Sequence, residues 1–258
     1  MCNRGERREK MKIIKPFFVF EYDFDGNEIL RRLERYGRVC YKSEDKITPD
    51  SAVRLIANII ASGHESVIEH EKVTVGVVCD RGVSHEVVRH RIAAYSQEST
   101  RYCNYSKGKF GGEITVIDIK PHLKNTASFD VWFRHMLASE KAYNKMIELG
   151  ESPQIARSVL PNSLKTEIII TYDLREWRHF FRLRCALKAH PQMREITIPL
   201  FVEMKKRIPV IFDDLNIPYC RTCEKELGEE RIDHNLPCGI HCDDCWEKLV
   251  MDSRKQSW

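Results

Sequence analysis

The chain has 258 residues, 42% of them hydrophobic, which is enough to bury a core and excludes wholesale disorder. Its 42 Lys and Arg against 38 Asp and Glu leave a net charge of +4, a balance that suits small anionic ligands at least as well as a nucleic-acid backbone. No uncharged apolar run approaches the roughly 18 residues of a membrane span, and the basic start MCNRGERREK lacks the apolar stretch of an export signal, so a soluble cytoplasmic protein with no membrane partner is expected.

In chain order, Phe17–Tyr22 (FFVFEY) reads as a strand, and Ile29, Leu30, Leu33 and Tyr36 give helical spacing to Asn27–Tyr41. Thr48 followed by Pro49 predicts an N-cap and a first helical proline, opening a helix through Ile59 and Ile60. Lys72–Cys79 (KVTVGVVC) is a strand broken by Gly82, after which Val83, Val87 and Val88 form a helical stripe running into Arg89. Gly108–Gly112 is a turn and Ile114–Ile119 a strand; residues 128–149 form a long amphipathic helix ended by Gly150. Glu167–Tyr172 is a strand feeding a helix from Leu174 to about Ala189, and Pro191 opens another to about Lys206. Strands and helices interleave without the strict βαβ rhythm of a doubly wound sheet, which predicts an α+β fold, a mixed or antiparallel sheet flanked by helices. One domain is expected over 1–217 and a small module over 218–258.

The densest polar stretch is Arg89–Tyr105, RHRIAAYSQESTRYCNY. It offers Arg89, Arg91 and Arg101 with the hydroxyls of Ser96, Ser99 and Thr100, and guanidinium forks with hydroxyls are what a phosphate needs. A solvated basic loop is the plain alternative; Ile92, Ala93, Ala94 and Tyr95 inside the stretch argue for burial. On the helix from Leu174, Trp177, Phe180, Phe181 and Leu187 make one apolar face with Arg184 at its centre, while Arg175, Arg178 and Arg182 lie round the other side. A core-facing guanidinium must be paired, either by a structural acid or by an anionic ligand. His64 and Glu69, in SGHESVIEH, sit between a helix and a strand, where a structural hydrogen bond is the ordinary reading. No GxGxxG follows a strand, GKFGGE (108–113) lacks the spacing of a phosphate-binding loop, and Ser99 has no nucleophile-elbow context.

Past residue 217 the chain changes character. The last 41 residues hold 6 basic and 9 acidic side chains, so the tail is −3 and the body +7. CRTC (220–223) and CDDC (242–245), 18 residues apart, have the spacing of a four-cysteine zinc site. Cys220, Cys223, Cys242 and Cys245 are therefore the expected structural zinc ligands of a ribbon or treble-clef-like appendage, with Cys238, His234 and His241 as substitutes. In so small a segment the metal would supply most of the folding energy.

RHR, seven residues, then Ser (Arg89, His90, Arg91 and Ser99) resembles the signature of flavin-dependent thymidylate synthases, the ThyX type. SGHESVIEH (62–70), ARSVLP (156–161) and FFRLR (180–184) resemble that family's other blocks in the same order, over roughly Arg38–Lys206. The resemblance implies reductive methylation of dUMP to dTMP with methylenetetrahydrofolate as carbon donor, reduced FAD as hydride donor, NADPH as reductant and no attacking cysteine. It implies dUMP contacts at Arg89, Ser99, Arg101, Arg157 and Arg184, with Arg184 and Ser99 taking the catalytic roles. FAD contacts are implied at His64, Ser66, Glu69, His90 and Arg91, and further at Gln97, Asp173, Arg175, His179 and His190. It also implies a homotetramer whose sites draw on several subunits, with no nucleic-acid partner. The chain departs from the family pattern at Glu86 and at Ser96-Gln97-Glu98. The competing reading is a nucleic-acid-binding protein with a zinc ribbon, against which the acidic tail counts.

Overall fold

A computed structural model describes residues 11–107, 112–217, 235–236 and 239–240. Its elements are β1 (Lys12–Ile14), β2 (Phe17–Phe20), α1 (Gly26–Val39), α2 (Ser51–Ala61), β3 (Lys72–Asp80), α3 (Arg81–Val87), β4 (Ala94–Gln97) and β5 (Thr115–Ile117). They continue with α4 (Thr126–Glu148), α5 (Pro153–Ala156), β6 (Lys165–Asp173), α6 (Leu174–Arg184), α7 (Pro191–Arg207), α8 (Pro209–Phe212), β7 (Asn235–Leu236) and β8 (Gly239–Ile240). β2, β3, β6 and β4 are neighbours in that order in a four-stranded sheet. Thr74 meets Thr171 through their hydroxyls at 2.9 Å, and seven residues on the Arg81 N–H reaches Leu164 O seven residues back, so β3 and β6 run antiparallel. The expected α+β class is what the chain adopts; the cysteines of the tail, and residues 108–111 of the expected turn, lie outside the described residues.

The chain divides into two compact units, one of residues 1–19 and 75–170, the other of residues 20–74 and from Thr171 onward. In the first, β1 and β5 pair in parallel, Lys12 opposite Thr115, and Ile114, Val116 and Leu164 pack with Met136 and Tyr143 of α4. α4 begins at Asn125, whose side chain accepts from Ser128 N. It ends in a Schellman motif: Glu151 N–H reaches Met146 O, Gly150 N–H reaches Ile147 O, and Gly150 takes φ 98°, the left-handed conformation that favours glycine. Burial pushes the Cys79 thiol up to about 12, which keeps it protonated and unreactive at neutral pH.

The second unit is built around α6. Trp177 and Phe181 are stacked with centroids 5.5 Å apart, and Phe181 meets Phe201 of α7 and Phe212 of α8 edge-on. Trp177 Nε1 donates to Val73 O at 3.1 Å, so the indole is buried without an unpaired donor. Three expectations are corrected here. The helix expected to open at Pro49 behind a Thr48 cap starts instead at Ser51, where the Ser51 hydroxyl turns back to Thr48 O and to Glu34. α6 stops at Arg184 rather than near Ala189, its end closed by α7: Thr197 Oγ1 donates to Arg184 O and Arg194 donates to Leu187 O. The arginine buried on α6 is Arg178, 1% exposed, whereas Arg184 is half-buried in the last turn.

Candidate functional site

In the first unit, α3 ends in a turn that leaves Arg89 and Arg91 exposed and His90 buried. Tyr95 fixes this turn by donating its hydroxyl to Val87 O and His90 O. The expected burial of Ile92–Tyr95 is corrected: Ile92 and Ala94 are exposed and Ala93 and Tyr95 only half-buried, and along β4 exposed and half-buried residues alternate, so one face of the strand is turned outward. Beyond β4 the chain brings four of the predicted groups together. Arg101 N donates to Ser99 Oγ at 3.3 Å, and Arg157 Nη1 donates to Thr100 Oγ1 at 3.2 Å. Arg101 lies 5.4 Å from the Tyr102 ring centroid, where a cation–π contact holds it over an exposed aromatic face. Gln97 turns its amide to Ser84 Oγ and Thr166 Oγ1, at 2.9 and 3.1 Å, so its side chain braces β4 against α3 and β6.

Beside this segment is a cavity of about 330 Å³, lined by Ser96, Gln97, Glu98, Cys103, Lys165, Glu167 and Ile169. Lys165 Nζ sits 2.7 Å from Glu98 Oε2, and Tyr105 donates its hydroxyl to Glu98 Oε1 at 2.9 Å. Burial, then the neighbouring Glu98 charge, pushes the Tyr105 hydroxyl up, so it stays a donor. Of these lining groups the sequence points to Gln97 as a flavin contact and to the Ser96 hydroxyl as a candidate phosphate donor. The pattern that marks the three lining residues of β6 is the alternation Lys165, Glu167, Ile169, which puts them on one face.

In the second unit, His64, Ser66 and Glu69 are exposed on and beside a 3₁₀ turn, Glu65–His70. Glu71 O accepts from Leu174 N, which ties the end of this turn to the start of α6. Arg175, one residue on, hydrogen-bonds Glu69 and lies 3.8 Å from Glu65. That hydrogen bond raises the Arg175 pKa. Asp173 caps α6, accepting from Glu176 N at 2.8 Å, and burial raises its pKa. His179 is exposed on α6. His190 caps α7, its Nδ1 accepting from Gln192 N at 3.3 Å. Ser66, Glu69, Asp173 and Arg175 thus gather where the 3₁₀ turn meets the N-terminus of α6.

Arg178 forms the centre of an ion cluster beneath that gathering. It donates to both oxygens of Asp214 at 2.6 and 2.7 Å, to Glu65 Oε1 at 3.1 and 3.2 Å, and to Ile211 O. Burial disfavours its charge, but the hydrogen bonds to Asp214 and the two carboxylate charges outweigh that and raise its pKa. The Asp214 carboxyl is correspondingly held below its ordinary range. Of the two partners open to a core arginine on this helix, the structural acid is the one Arg178 has.

The model of the family described as thymidylate synthase complementing protein matches residues 25–210. A flavin-dependent thymidylate synthase from Geobacter sulfurreducens is 33% identical over 196 residues, covering 72% of this chain and 81% of that protein. One from Pyrococcus furiosus is 33% identical over 173 residues, 67% of this chain and 70% of that protein. The chain belongs to the flavin-dependent thymidylate synthase family. Among solved structures, a UMP/dUMP methylase, PolB from Streptomyces cacaoi, bound with 5-Br UMP, superposes with a TM-score of 0.63 at 19% identity, over 79% of this chain and 95% of that one; it shows a shared fold. The matched span contains each of the four sequence blocks that resemble flavin-dependent thymidylate synthases, and family membership decides between synthase and nucleic-acid binder in favour of the synthase. Among the described residues no helix is long and apolar enough to cross a membrane.

Proposed function

We propose that this chain methylates C5 of dUMP to give dTMP, with methylenetetrahydrofolate as the carbon donor. Family membership supports the reaction, and one geometric observation supports the substrate: the turn that joins Ser99, Thr100 and Arg101 to Arg157. The Arg157 guanidinium beside the Thr100 hydroxyl, with the Ser99 hydroxyl and the side chain of Arg101 on the same short turn, offers charge-assisted donors for a phosphate dianion. Arg89, exposed on the preceding turn, adds a third cation. In this reading Ser99 orients the nucleotide by hydrogen bonding, and Arg184 faces the pyrimidine, where a fixed positive charge stabilises negative charge building up on the ring. No cysteine is given a part, as the family resemblance implies.

The donor set in the second unit fits an anionic dinucleotide such as FAD. Arg175 is charged and half-exposed beside Glu69, and His64, Ser66, His179 and His190 are exposed. These residues, with Glu69 and Asp173, would hold FAD in one unit, and His90, Arg91 and Gln97 would do so in the other. When bound and reduced, FAD supplies the hydride. The protein binds, orients and keeps its cations fixed. NADPH as the reductant and a homotetramer with sites drawn from several subunits complete the proposal, both carried over from the family resemblance. The protein as purified is expected to be yellow, to bleach with NADPH, and to regain its spectrum with dUMP and methylenetetrahydrofolate. A colourless protein that takes up no FAD and leaves dUMP unchanged would overturn the reading.

The tail is proposed to bind one structural zinc through Cys220, Cys223, Cys242 and Cys245, on the strength of their spacing. One zinc per chain is expected from metal analysis, lost in the Cys220→Ser, Cys245→Ser double variant. Zinc retained by that variant, or absent from the unmodified protein, refutes the ligand set.

A further inference from the structure

α6 carries three arginines toward one acid, Glu65, but they are not equivalent. Arg175 and Arg182 are about half-exposed, at 53% and 45%, while Arg178 is 1% exposed. Glu65 receives all three, Arg182 at 3.4 Å and Arg175 at 3.8 Å. Asp214 and the Ile211 carbonyl hold Arg178 from below, so its position is over-determined by α8 and the residue pair that follows it. The two exposed arginines can turn to a ligand. Arg178 cannot, and neither can Glu65 while Arg178 grips it.

We propose that Arg178 is a positioning residue for flavin binding: anchored by Asp214 and the Ile211 carbonyl, it fixes the Glu65 carboxylate and so sets where His64 and Ser66, the residues on either side of Glu65, are presented. This rests on the reading that His64, Ser66, Glu69 and Arg175 contact FAD. An acid among three guanidiniums also has an opposite role to consider, because Glu65 neutralises charge that an anionic ligand would meet. The two effects have opposite signs. If neutralisation dominates, Glu65→Gln strengthens FAD binding; if positioning dominates, it weakens it, because an amide is a poorer acceptor for three cations and the turn is released.

The test is FAD affinity, read by flavin fluorescence on the full-length apoprotein, for Glu65→Gln, Asp214→Asn and Arg178→Lys. Each is expected to bind FAD roughly tenfold more weakly, within the range for residues coupled in one ion network. Glu65→Gln combined with Asp214→Asn should cost less than the sum of the two, since both act through Arg178. Amide hydrogen exchange of residues 62–70 should quicken in all three variants. Should Arg178→Lys fail to fold, the two acid variants decide alone. Unmodified protein that binds no FAD removes the underlying reading and this proposal together. Normal FAD binding by the unmodified protein, with unchanged or tighter binding in the folded variants, overturns this proposal only; a lowered Tm with unchanged FAD affinity does the same, since it makes Arg178 purely structural.

Discussion

Arg184→Ala is expected to fold, to retain FAD, and to lose dUMP affinity by about a hundredfold, the range for removing one partner of a desolvated charge-assisted contact. The buried residues of α6 do not include Arg184. Arg184 is the last residue of α6, half-buried, and its carbonyl accepts from Thr197 of α7, a bond that truncation of the side chain leaves in place. The aromatic contacts that hold α6 are those of Trp177, Phe180 and Phe181, one to two turns earlier. Truncation past Cβ therefore removes a charge without opening the core. The measurement is dUMP binding by calorimetry beside a thermal melt. Loss of affinity with a Tm within a few degrees of the unmodified protein supports the assignment; equal dUMP affinity removes Arg184 from the site, and a collapsed melt would show that its charge is structural, as that of Arg178 is.

The contrast between those two arginines shows what was legible in the sequence. The helical pattern from Leu174 to about Ala189 places the apolar stripe on Trp177, Phe180, Phe181 and Leu187; the first three are buried, while Leu187 lies past the end of α6 and is only half-buried. Yet the buried arc of α6 is wider than its apolar side chains mark. Glu176 borders it on one side and Arg178 on the other, and both are charged. A wheel assigns charged residues to solvent by default. The default fails for Arg178 because its acids, Asp214 and Glu65, are 36 and 113 residues away in sequence, and long-range pairing leaves no periodic trace. Arg184 does lie in the buried direction, but the helix ends there, and the end depends on Thr197 and Arg194 of α7, again a tertiary contact. The same holds for Lys165, whose place beside Glu98 follows from β4 and β6 being sheet neighbours. Local signals fared better: Gly150 at the end of α4, Pro191 at the start of α7 and the RHR block after α3 each act through neighbours within a few residues.

Gly26→Ala is expected to be the most damaging single-atom change in the second unit. Gly26 opens α1 behind its cap Asp25, whose side chain accepts from Asn27 N at 2.8 Å. A Cβ there would lie 2.0 Å from Arg207 O and 2.9 Å from Arg207 C, and both are backbone atoms at the end of α7 that cannot turn aside. Relief requires α1 and α7 to separate, which strains the clamp at the same spot. There the Arg207 guanidinium lies 4.4 and 4.9 Å from the Phe20 and Phe24 ring centroids and bonds Asp23 at 2.7 Å. About 3 kcal/mol of destabilisation is expected, the upper end of the overpacking range, equivalent to a Tm lower by roughly 6 to 12 °C for a chain of this size. Gly37, in the same helix, is the control. Its added Cβ would meet the Ile59 Cδ1 end of a side chain at 3.1 Å, which can shift by a few tenths of an ångström. Alanine is also preferred over glycine inside a helix by roughly 0.5–1 kcal/mol, so Gly37→Ala should be neutral or slightly stabilising. Equal Tm values for the two variants would mean that α1 and α7 do not approach as closely as this backbone contact requires.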